Sequence, residues 1–145
     1  MDFKFTKDDI KRISSVLGVK PKYMGNNYRF TLINDEDGRK LSLEIYSEIA
    51  IGKNRGNLIS VYTENAHLQL HFCSGYVVSE MLGEVTFVGE FNGKLSGLIV
   101  EKGAGCSLYA NVDREILSGD FTRLGPEVML SGIALSLTED LISRK

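Results

Sequence analysis

Val85-Thr-Phe-Val-Gly-Glu-Phe-Asn-Gly-Lys-Leu95 places a hydrophobic or small residue at every second position as far as Phe91, then inserts Asn92-Gly93. Val85, Phe87, Gly89 and Phe91 fall on one face of a strand, because successive side chains of extended chain point to opposite sides. Asn-Gly is the dipeptide best suited to a two-residue type I′ turn, where both central residues take positive φ. The stretch therefore predicts an antiparallel hairpin whose return strand runs from Leu95 to Lys102.

The same period extends in both directions. Upstream, Tyr28, Phe30 and Leu32 alternate with polar residues before the turn cluster Asn34-Asp-Glu-Asp-Gly38. Leu41, Leu43, Ile45, Ser47, Ile49 and Ile51 then read as one face of a long strand. Leu58 to Thr63 and Ala66 to Cys73 give two more strands, and Ser74 to Gly83 fits either a short helix or an irregular crossing. Downstream, Gly103-Ala-Gly105 turns the chain into a strand from Cys106 to Val112. Connections this short favour antiparallel neighbours, since parallel strands need crossovers of a dozen residues or more.

Helices are predicted at both ends. Thr6 and Asp9 have the spacing of a capping box, and Ile10, Ile13, Val16 and Leu17 form one apolar stripe that Gly18 and Pro21 close. At the other end Pro126 opens a long segment in which Leu130, Ile133, Ala134, Leu137 and Leu141 recur at helical spacing. The expected fold is thus a single α+β domain over residues 1–145. An antiparallel meander of about seven strands, as a curved sheet or partly open barrel, lies between a short N-terminal helix and a long C-terminal one. Pleckstrin-homology-like barrels share that element count, and helix-grip folds are similar in outline; both are likenesses of shape.

Composition narrows the function classes. The chain is 43% hydrophobic and 25% charged, which matches an ordinary folded domain and excludes disorder as a description of the whole. Seventeen basic against nineteen acidic residues give a net charge of −2, without the basic field of a nucleic-acid binder. No signal peptide is legible near the N-terminus, and the run of lowest polarity, Val128 to Leu137, is half the ~20 residues of a membrane span. A cytoplasmic protein with no membrane and no nucleic-acid partner is expected.

His67, Gln69, His71 and Cys73 occupy alternate positions of one predicted strand, so His67, His71 and Cys73 are the metal-ligand candidates. A closed zinc site needs four ligands, no second metal-spaced pair exists, and a solvated polar row is the favoured description. The expectation is no cofactor. Lys53 and Arg55, within Gly52-Lys-Asn-Arg-Gly56, are candidates for binding an anion, against the simpler reading of ordinary turn chemistry. Cys106 follows two glycines but leads into a strand, unlike a nucleophile elbow. No spacing of acids suggests acid–base work, so enzymatic activity is not the expected function.

Two functions fit. The first is a binding or adaptor domain acting through protein contacts as a homodimer. Val128, Leu135 and Ile142 form a second apolar stripe beside the main one, and Gly132 and Ser136 would let another backbone approach. The second is a small-molecule binder or enzyme with a cavity between the curved sheet and the last helix, where Gly89, Gly97 and Ala110 leave volume.

Overall fold

The computed structural model describes residues 3–91 and 93–113. Among them one helix, α1 (Lys7–Leu17), precedes nine strands: β1 (Lys22–Tyr23), β2 (Tyr28–Ile33), β3 (Lys40–Ile51), β4 (Asn54–Thr63), β5 (His67–His71), β6 (Cys73–Ser79), β7 (Glu84–Phe91), β8 (Lys94–Glu101) and β9 (Cys106–Asp113). The first five form one sheet in sequence order and the last four form another. Every pairing is antiparallel.

This corrects the single α+β meander of about seven strands. The described residues are mostly β and lie in two sheets. The count differs because Lys22–Tyr23 adds a two-residue edge strand and because the run from Ala66 breaks at Phe72. Phe72 has φ 57°, a left-handed conformation rare for a bulky side chain. The chain leaves the first sheet there and enters the second as β6, so the ambiguous segment from Ser74 to Gly83 is a strand as far as Ser79 and then a turn, rather than a helix. The expected long C-terminal helix falls on residues outside those described.

Local chemistry explains the elements that the sequence marks well. Thr6 and Asp9 form the capping box: the Thr6 N–H donates to Asp9 Oδ2 at 2.8 Å, and the Asp9 N–H donates to Thr6 Oγ1 at 3.1 Å. Gly18 closes the helix at φ 73°. Phe91 pairs directly with Lys94, leaving two positions between β7 and β8, and Gly93 has φ 77°. Ile33 pairs with Lys40 across the longer turn that begins at Asn34.

One core joins the two sheets and α1. Phe30, Leu43, Ile45, Ile59 and Leu70 of the first sheet meet Cys73, Val85, Phe87 and Leu98 of the second. Ile10, Ile13, Val16 and Leu17 join the same core from α1, which packs on β6 and β7. The N-terminal helix thus contributes to the core that the two sheets share. Among the described residues no helix is long and apolar enough to cross a membrane.

Candidate functional site

Side chains alternate along β2 to β5, so the residues between core positions form the outer face of the first sheet. The register sets Arg29, Glu44, Ser60 and Gln69 side by side in one rung, and Thr31, Ser42, Tyr62 and His67 in the next. Two polar residues on this outward side are nonetheless buried: Glu44 is 4% exposed and Ser60 1%. Their own neighbours engage them. Arg29 Nε and Nη2 donate to Glu44 Oε2 at 3.1 and 2.6 Å, and the Tyr46 hydroxyl donates to Oε1 at 3.1 Å. Ser60 Oγ lies 2.8 Å from His67 Nε2, and the His67 ring stacks on Tyr62 with centroids 4.1 Å apart and planes 11° apart.

Enclosing a carboxylate is costly unless it is paired and hydrogen-bonded, and Arg29 and Tyr46 supply its partners. The pairing acts on both partners' surroundings. The hydrogen bond and charge of Glu44 raise the Arg29 guanidinium above its usual pKa, and burial, then Glu44, pushes the Tyr46 hydroxyl up. Arg29, Ser42, Glu44, Tyr46 and Tyr62 line a hollow of about 480 Å³, with the carboxylate among its lining groups. Tyr62 is 41% exposed and Ile33, farther along the same face, 50%.

A second cleft, about 500 Å³, opens where the chain passes between the sheets. Phe3, Glu48, Arg55, Asn57, Phe72 and Cys73 are among its lining residues. Two residues of β3 oppose one of β4 here, and the bulge holds Glu48 at φ 52°. Asn57, 4% exposed, clasps three segments: its amide nitrogen donates to the carbonyls of Phe3 and Cys73 at 2.6 and 3.0 Å, and its Oδ1 accepts from the Glu48 N–H at 3.1 Å. Arg55 donates to the Glu48 carbonyl, and Lys4 pairs with the Glu48 carboxylate at 3.4 Å. Every one of these groups is turned onto the protein itself, which describes a structural joint more than a receptor.

The sequence candidates are dispersed by this geometry. His67 lies in the hydrogen-bonded paving of the outer face, and the exposed His71 meets Gln69 at 3.2 Å. Cys73 does not share that face. The turn at Phe72 sends it into the core, 3% exposed, with its thiol pushed up to about 12 by burial. Among the described residues no three His, Cys, Asp or Glu side chains gather as a metal site would require. Lys53 sits exposed in the two-residue turn between Ile51 and Asn54, whereas Arg55 faces the Glu48 carbonyl. Cys106 packs beside the core, its thiol raised by burial and by Glu101. Val128, Gly132, Leu135, Ser136 and Ile142 lie outside the described residues. Sequence reading missed Arg29, Glu44, Tyr46, Ser60 and Tyr62. The observed register, in which Ile33 pairs with Lys40, sets Arg29 opposite Glu44, an opposite-charge pair of the kind that stabilises adjacent strands; symmetric counting from Asn34–Gly38 falls one residue short of it.

No protein-family model, curated protein or solved structure matches this chain.

Proposed function

We propose that the chain is a non-catalytic binding domain acting through protein contacts, with the outer face of the first sheet as its docking surface. The observation that carries this is the Arg29–Glu44–Tyr46 network. It fixes an arginine and a tyrosine beside exposed Tyr62 around one hollow. Arginine and tyrosine are the residues that most often anchor protein interfaces, and anchors already locked in place lose little side-chain entropy on binding. Catalysis is disfavoured by the same geometry. Both thiols are raised above their usual pKa, and the Ser60 hydroxyl, though beside His67, is covered.

Self-association through Val128, Gly132, Leu135, Ser136 and Ile142 is a further part of the proposal and rests on sequence pattern alone. A cytoplasmic setting goes with it, supported by the two free thiols. The small-molecule alternative has less support. A Cβ at Gly89 would come within 2.8 Å of the His71 carbonyl, so that glycine leaves no unfilled volume.

Selection from a random peptide library on the full chain tests the surface. Binders are expected to lose about 30-fold in affinity on the Tyr62→Ala protein, the loss typical of an anchor residue worth ~2 kcal/mol. Circular dichroism must match wild type. Binders that hold equally to both proteins, or no binders at all, would overturn the docking surface.

A further inference from the structure

We infer that the partner is an acidic protein segment, one of whose carboxylates pairs with the free edge of Arg29; this rests on the docking surface proposed above. As far as the bulge that follows Tyr46, the outward positions of β1 to β5 carry Lys22, Arg29 and Lys40 but one carboxylate, Glu44; Glu48 lies past that point, its carboxylate paired with Lys4. Glu44 is buried and already engaged by Arg29 and Tyr46, so it presents almost no negative charge to solvent. The face is therefore cationic on a chain whose net charge is −2. Lys40 stands at one end beside Asp37 and Glu64. Lys22 and Arg29 are direct cross-strand partners beside the hollow, which concentrates the charge there.

Arg29 has the right geometry for a second anion. Glu44 takes Nε and Nη2, so the Nη1 edge has no hydrogen-bond partner among the described residues, and the side chain is 43% exposed. A guanidinium held along one edge presents the other at a fixed angle, and a carboxylate arriving there completes its donors without a rotamer search. Lys22 lies alongside to share the charge. Tyr62 and His67, already stacked on one another, offer apolar ring area for a neighbouring side chain of the partner. A nucleic acid fits less well. Its affinity comes from neutralising many phosphates, and this face offers three cations on an acidic chain.

The test uses the full chain labelled with nitrogen-15 and four probes. Three are decapeptides alternating tyrosine with glutamate, glutamine or lysine; the fourth is a short oligothymidine. The glutamate peptide is expected to shift the Arg29 Nε–H signal and the β2 and β3 amides, to bind about tenfold tighter than its glutamine counterpart, and to weaken with added salt. Lys22→Gln should weaken it severalfold. Arg29→Gln alone strands the Glu44 carboxylate, so the decisive variant is Arg29→Gln with Glu44→Gln, which replaces the ion pair by two neutral amides. That protein should bind the glutamate and glutamine peptides alike. Equal binding of the glutamate and glutamine peptides to wild type overturns the acidic partner. If both are then lost in Tyr62→Ala, the docking surface itself stands; if neither is lost, that surface falls as well. Tighter binding by oligothymidine makes the partner a nucleic acid and overturns the inference. So does a face that responds to no probe, whether or not nuclear Overhauser contacts show residues 114–145 lying on it.

Discussion

Cys73 shows how far one side chain's chemistry depends on the path of the backbone. One residue earlier, the left-handed turn at Phe72 carries the chain from the first sheet to the second, and a thiol that would have faced water with His71 is buried in the shared core instead. Burial pushes its pKa up to about 12, so at pH 8 the native protein holds almost no Cys73 thiolate. Ellman's reagent should leave Cys73 unmodified until denaturant is added. Rapid modification of the native protein at Cys73 would contradict its burial. The same shift bears on stability. Unfolded, the thiol ionises near its ordinary value of 9, whereas folded it keeps its proton to about 12. The unfolded chain binds fewer protons in that window, so its contribution to stability is intact below pH 9 and declines as pH rises toward 12. Cys73→Ala should be less stable than wild type at pH 7 and show a shallower loss above pH 9, both measurable in urea titrations.

At the scale of the element, α1 is the best-specified piece because its signals are local. Its capping box acts within four residues, and Thr6→Ala should cost about 1 kcal/mol in a urea titration. Asp9 adds a pH term. Burial raises its pKa, but hydrogen bonds from Thr6 and Tyr76 and the charge of Arg12 outweigh that and hold the carboxyl below its usual value. Its contribution is present above pH ~4 and is lost as pH falls through the depressed folded value, so Asp9→Asn should flatten part of the acid-side loss. The strands were legible wherever alternation was unbroken, as in β2, β7 and β8. They were misread where the backbone breaks period. The long strand read as one face from Leu41 to Ile51 keeps that face only to Ile45, because the register shifts between Tyr46 and Ile49 and Asn57 fills the gap. Nothing in the residue type at Phe72 announces positive φ. The outer-face network escaped notice for a different reason: Arg29 and Glu44 are fifteen residues apart, and only the hairpin register makes them neighbours.

At the scale of the whole molecule, assembly is the quantity to measure. Sedimentation velocity of the full chain is expected to report a dimer. Leu135→Glu should yield a monomer with unchanged circular dichroism, and a wild-type monomer at high micromolar concentration would remove self-association from the proposal. The interior imposes a second whole-molecule constraint. α1 binds the second sheet through its apolar stripe and through Tyr76, whose hydroxyl donates to Asp9 Oδ1 at 2.5 Å and accepts from Arg12. During synthesis, however, the helix leaves the ribosome first and the strands it needs come much later. At ~5–20 residues per second, the roughly 70 residues between the end of α1 and the start of β7 take about 4–14 s to make. For those seconds an amphipathic segment trails from the ribosome with its greasy side bare, and it is then that the nascent chain gives a chaperone something to hold.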